Sequence, residues 1–174
     1  MKYFQTVFLL FLFQIGFSQQ NIFDIARKGT IEEVKTAMKQ NPDIINSVND
    51  EGYSPLILAS YRGNIEVAKF LIKNVKDING SSSMGTPLMA AVVKGNKEIV
   101  QALLENKADP NIADQNGTTA LIYATIFKHY DIVEMLLKAS ATIDLKDIRG
   151  NTAADYARIS KDEKLSELLK TNKL

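Results

Sequence analysis

Cysteine is absent from this sequence. Disulfides, thiolate zinc sites, cysteine nucleophiles and a lipid-modified cysteine at a processing site are excluded with it. The redox compartment stays open, because a cysteine-free chain folds in either. Histidine occurs once, at His129, so a histidine base positioned by a second histidine is impossible. A charge excess of either sign is missing too. Without Lys2, which belongs to the leader argued below, 20 basic residues face 20 acidic ones. That balance gives no general attraction to nucleic acid or anionic lipid. No glycine-rich phosphate loop follows a strand pattern; the glycines stand singly. No cofactor motif is present. What remains, 45% hydrophobic and 24% charged residues, is the composition of one ordinary folded domain rather than a disordered chain.

The N-terminus has its own composition. Met1-Lys2 precedes an apolar run from Tyr3 to Phe17, unbroken from Val7 to Phe13. One positive charge before a short apolar core has the layout of a secretory signal. Gly16 and Ser18 are small residues suited to a cut between Ser18 and Gln19. A membrane anchor needs ~20 apolar residues, whereas this run is interrupted by Gln14 and followed by Gln19, Gln20 and Asn21. The expectation is a signal peptide over residues 1–18 and a periplasmic or secreted product with no stable membrane anchor. An uncleaved anchor or a buried N-terminal helix is the alternative.

A fixed period governs the rest. Ser54, Thr86, Thr119 and Thr152 recur in steps of 32, 33 and 33 residues. Ala59, Ala91, Ala124 and Ala157 keep those steps, as do Leu71, Leu103, Leu136 and Leu169. Each column has a physical reading. Ser54-Pro55 and Thr86-Pro87 are helix starts: the hydroxyl accepts from a free backbone N–H, and proline suits the first helical position. Leu56 with Ala59, Leu88 with Ala91, and Leu121 with Ala124 put a large and a small apolar group on one helical face. Gly63 and Gly95 can then end the helix in a left-handed cap. A second stripe follows in each unit: Val67, Ala68, Leu71 and Ile72; Ile99, Val100, Leu103 and Leu104; Ile132, Val133, Leu136 and Leu137. Glu66, Glu98 and Asp131 stand in its first turn, where the helix dipole favours negative charge. Asn116-Gly117 is a tight-turn signal. Each unit is therefore two short antiparallel helices and a projecting loop or hairpin.

The run G-x-T-P-L-x-x-A, then G-N-x-E-(V/I), then L-L, then A-D-P-N resembles the ankyrin repeat. Residues 52–79 and 86–111 match most closely. The resemblance covers nearly all of the expected domain, residues 19–174, as five units at about 21–49, 50–81, 82–113, 114–146 and 147–174. The outer two are degenerate, as terminal units facing solvent on one side should be. It implies an all-α solenoid of stacked helix pairs. The sequence also departs from the pattern. The histidine common after T-P-L is replaced by Ile57, Met89, Ile122 and Asp155, which would weaken hydrogen bonding between units. Met84 takes the turn-glycine position of the third unit, and Ser81-Ser82-Ser83 lacks the usual aspartate, predicting an irregular or mobile loop. Lys128-His129 replaces the glycine-led turn of the fourth unit, predicting strain there.

Chemistry finds little support. His129 and Asp131 can be written as a base and its orienter, but both positions are explained by a turn and an acidic helix start. Asp109, Asn111, Asp114 and Asn116 are oxygen-rich without the spacing or closing glutamate of a calcium loop. The lysines of the tail alternate with acids, as on a solvated helix face. No catalytic, cofactor-binding or metal residue is therefore assigned. The resemblance implies instead a concave surface of loop tips and first-helix ends. On it, Tyr53, Tyr61, Arg62, Lys94, Asn116, Phe127 and Arg149 are the candidate partner-binding residues, because aromatic and arginine side chains dominate interface energetics. The alternative is that Ile126 and Phe127 cover the core where Lys128 replaces glycine. The expected function is a monomeric, non-catalytic protein–protein interaction module with a protein partner and no nucleic acid, acting as an inhibitor or immunity-type binder. A structural envelope scaffold or self-assembling protein is the alternative, and a hydrolase the remote one.

Overall fold

A computed structural model describes residues 21–83 and 85–171. The leader expected over residues 1–18 and Met84 at the third turn lie outside the described residues. Among these there are ten α-helices, one short 3₁₀ turn at Ile44–Asn46 and no strand beyond isolated bridges. The helices come in pairs: α1 (Ile22–Lys28) with α2 (Ile31–Gln40), α3 (Pro55–Arg62) with α4 (Ile65–Ile72), α5 (Pro87–Val93) with α6 (Lys97–Glu105), α7 (Ala120–Ile126) with α8 (Tyr130–Lys138), and α9 (Ala153–Ile159) with α10 (Glu163–Thr171).

The first helix of each pair after the first begins where the hydroxyl column places it. Ser54, Thr86, Thr119 and Thr152 each accept from the backbone N–H three residues on, satisfying a donor that the helix itself leaves free. Pro55 and Pro87 occupy the first helical position. Helices of seven or eight residues are marginal alone, so packing must hold them. The first helices form one layer, α1 on α3, α3 on α5, α5 on α7 and α7 on α9; the second helices stack likewise from α2 to α10. Ala26, Ala59, Ala91, Ala124 and Ala157 are fully buried between neighbours in the first layer. Val34, Val67, Val100 and Val133 are fully buried along the second. No pair closes a core alone, and stacking supplies it.

The positions where the sequence departs from the repeat pattern show how the units are joined. Ile57, Met89 and Ile122 are each 1% exposed, so apolar packing replaces the expected histidine. Asp155, by contrast, closes a reciprocal cap with Thr152, accepting from its backbone N–H at 2.9 Å and its hydroxyl at 2.8 Å. The third turn is one residue shorter than the others and closes tightly, with Ser82 and Gly85 exchanging backbone hydrogen bonds of 3.1 and 2.9 Å. The predicted irregularity is thus one of length. A Cβ on Gly85, at φ +79°, would collide with the Met89 sulfur. The strain predicted at the fourth turn is present: Lys128 has φ +56°, and Lys161 repeats it at +50° in the fifth, where Gly63 and Gly95 serve the earlier units.

Candidate functional site

Three of the four hairpin tips are each shaped by one side chain. Asn49 accepts from the backbone of Glu51 and Tyr53. Asp114 accepts from Asn116 and Thr118 at 2.8 and 2.9 Å, and Asp147 from Arg149 and Asn151 at 2.9 and 3.0 Å. A short side chain that folds back on its own backbone fixes a turn. In the last two units the second carboxylate oxygen takes a further bond. Tyr123 donates to Asp114 at 2.6 Å, and Tyr156 donates to Asp147. These bonds tie each hairpin to the first helix that follows it. Burial and the neighbouring carboxylate push the Tyr123 phenol up to about 12. The Tyr156 phenol is raised by its bond to Asp147, and the same bond holds the Asp147 carboxyl below its ordinary value. The nine-residue spacing from aspartate to tyrosine is present in the sequence, yet apolar periodicity does not reveal it.

Between units, Asn46, Asn79 and Asn111 form a second ladder. Their side-chain oxygens accept from the backbone N–H of Lys76, Asp109 and Thr142 in the next unit, at 2.9, 2.9 and 2.7 Å. The oxygen-rich loop is thereby accounted for by turn and ladder bonds. Asp109 also accepts from the Asn111 N–H.

His129 follows the left-handed Lys128 and tucks under the preceding unit. A Cβ on Gly95 would lie 2.8 Å from its ring. Its Nε2 is buried without a hydrogen-bond partner among the described residues. Asp131 pairs with Lys97 instead. The base-and-orienter geometry does not form. Asn64 occupies the equivalent place in the second unit, where its amide donates to the carbonyls of Ala26 and Gly29 at 3.3 and 2.9 Å.

The seven candidate partner-binding residues fall into local groups. Tyr61, half-buried at the end of α3, lies under the ammonium of Lys94 at 5.1 Å from its ring centre, across the boundary between two units. Arg62 beside it is exposed. Phe127, 47% exposed, stacks on Tyr123 at 6.4 Å and on His129 at 6.0 Å. One ring face thus supports the fourth turn while the rest stays open to solvent. Asn116 and Arg149 are exposed on neighbouring hairpin tips, joined where the Ile148 N–H donates to the Asn116 carbonyl at 2.9 Å. Tyr53 is half-buried and receives a long hydrogen bond of 3.4 Å from Ser83 of the next hairpin. Ile126 at the end of α7 and Ile148 on a hairpin tip, both on the surface that the resemblance implies, are 42% and 73% exposed; Ile159 at the end of α9, 63% exposed, is the residue the sequence reading missed. The signal for Ile159 was an apolar side chain at the solvent end of a first helix, at the register of Tyr61, Val93 and Ile126.

A family model described as ankyrin repeats, in three copies, matches residues 22–114, 80–147 and 106–173. The chain belongs to the ankyrin repeat family. Ankyrin repeats are protein–protein interaction modules, generally without catalysis, and this chain is one in that sense. Short stretches resemble repeats in larger proteins. One is 37% identical over 65 residues to BTB/POZ domain-containing protein 3 of Schizosaccharomyces pombe, covering 36% of this chain and 12% of that protein. Another is 33% identical over 64 residues to ankyrin repeat and SAM domain-containing protein 6 of Rattus norvegicus, covering 37% and 7%. A third is 30% identical over 53 residues to DNA-binding protein RFXANK of Homo sapiens, covering 30% and 20%. The match spans a fifth or less of each of these relatives, so the likeness is one of ankyrin repeats alone.

Proposed function

We propose that this ankyrin stack is an exported binding protein, periplasmic or secreted after cleavage between Ser18 and Gln19. The ends of its first helices, together with its hairpin tips, would capture one protein partner. An inhibitor or immunity-type role fits a short stack of this kind. The observation that carries the reading is the concentration of exposed apolar, aromatic and cationic side chains at the first-helix ends, with Arg62, Ile126, Phe127 and Ile159 open to solvent. Side chains of this kind supply most interface energy when a partner covers them. The terminal helices weigh against end-to-end self-assembly: α2 exposes Glu32, Lys35, Thr36 and Lys39, and α10 exposes Glu163, Lys164, Glu167 and Lys170.

The test is paired replacement, Tyr61→Ala with Arg62→Ala. Loss of two interface anchors should weaken partner capture by ~2 kcal/mol or more, roughly thirtyfold, with an unchanged circular dichroism spectrum. Undiminished capture by the folded double variant would remove this face from the account. Self-association detected by light scattering would favour the scaffold reading instead.

A further inference from the structure

Cations stand at or just beyond the C-terminal ends of the first helices. Lys28 and Arg62 end α1 and α3, Lys94 caps α5, and Lys161 follows α9. All four are exposed, and among the described residues none has a carboxylate within ion-pair distance. Other cations are paired: Arg27 with Asp24, Lys128 with Asp162 and Arg158 with Asp155 in the same layer, and Lys69 with Glu98 and Lys97 with Asp131 between successive second helices. A cation at a helix C-terminus is favourable through the dipole alone, and Lys73, Lys107 and Lys138 stand near the ends of the second helices in that role. The first-helix row carries something more. Three of the five exposed large apolar residues among the described ones, Ile126, Phe127 and Ile159, lie in it. Unpaired positive charge and open apolar surface therefore share one edge.

We infer that the occupant of this edge is an acidic polypeptide segment bearing aliphatic side chains, laid across successive units in an extended conformation. The inference rests on the docking face proposed above and adds the chemistry of what docks there. Spacing supports the extended form. Packed helices lie ~8–10 Å apart, and an extended chain advances ~3.3 Å per residue, so every third residue meets a new unit. Aliphatic side chains at those positions cover Val93, Ile126 and Ile159 in turn. Carboxylates between them meet Arg62 and Lys94, which have no acid of their own. A basic segment would face like charge along the row, and an uncharged one would leave the cations uncompensated.

The probes are three fluorescein-labelled peptides of about twelve residues, long enough to cross four units, with leucine at every third place. The positions between are glutamate in one, glutamine in the second and lysine in the third. Fluorescence anisotropy with the protein as its host produces it should rank glutamate over glutamine by about tenfold at low salt, with lysine weakest and the ranking compressed by added salt. Arg62→Glu with Lys94→Glu should invert the order of the charged peptides. Arg62→Gln with Lys94→Gln should abolish the preference while leaving thermal unfolding unchanged. Equal binding of the acidic and basic peptides, no binding of any, or a ranking unmoved by the charge variants would overturn the inference. If that happens while Tyr61→Ala with Arg62→Ala still abolishes capture of the native partner, the docking face stands and only the acidic occupant falls.

Discussion

The second and third units turn from first to second helix through glycine; the fourth and fifth turn through lysine and add tyrosine–aspartate bonds at their hairpins. In the earlier pair, Gly63 and Gly95 take the left-handed turn at no steric cost, and neither hairpin carries an aspartate–tyrosine bond. In the later pair, Lys128 and Lys161 are held at positive φ, an arrangement that costs about 1–2 kcal/mol for a residue with a side chain. Bonds to carboxylates occur in the same two units. Tyr123 donates to Asp114, Tyr156 to Asp147 and Tyr130 to Asp162, and Lys128 pairs with Asp162 at 3.2 Å. The same fold can be closed by glycine or by a network of carboxylates, and the second solution makes stability depend on protonation.

Acid should therefore separate the two regions most sharply. Asp131, Asp147, Asp155 and Asp162 all have lowered carboxyl values, owed chiefly to Lys97, Tyr156, Thr152 and the Leu165 N–H respectively. A carboxyl whose folded value lies below its unfolded one contributes stability above about pH 4, and that contribution is lost as pH falls through the folded value. Hydrogen exchange should show the fourth and fifth units opening first as pH drops below about 4. Asp43, lowered by Lys76, gives the first units a single comparable group. The Tyr123 phenol acts at the other extreme. Raised to about 12, it contributes stability fully present below its unfolded value near 10 and lost as pH rises from there to about 12.

Gly95→Val attacks the glycine solution directly. A β-branched residue at φ +68° placed against the His129 ring should cost about 2–4 kcal/mol in urea denaturation. Gly52→Ala, where nothing lies within contact distance, is the control for φ alone. Tyr123→Phe should cost about 1–2 kcal/mol by removing one bond to a carboxylate and should reduce the alkaline loss to the share owed to Tyr130 and Tyr156, whose phenols are also raised. Lys161→Gly should have the smallest effect, a gain of about 0.5–1 kcal/mol from relieved backbone strain. A loss there would mean that the fifth turn is not strained in the way argued.

Much of this architecture was legible because the repeat writes it several times over. The columns at Ser54, Ala59 and Leu71 each have a single structural job, and burial enforces it identically in every unit. The outer units were legible in outline as polar caps. What escaped were contacts between columns. The Asn46, Asn79 and Asn111 ladder and the Asp114–Tyr123 and Asp147–Tyr156 bonds follow the same period, yet each joins a loop to a neighbour, which apolar periodicity does not register. At the candidate site, aromatic and arginine chemistry singled out Tyr61, Arg62 and Phe127. It passed over Ile159 because an isoleucine on a short apolar helix reads as core until its exposure is seen. The Tyr61–Lys94 contact crosses a unit boundary, so no motif within one repeat announces it.

The account depends most on the first-helix edge being the surface a partner covers. A photo-crosslinking amino acid at position 62, compared with one at exposed Gln101 on α6, tests this in the native host whatever the partner turns out to be. The account predicts a discrete protein adduct from position 62 and none from position 101. An adduct from position 101 alone would place the partner on the opposite layer and contradict it.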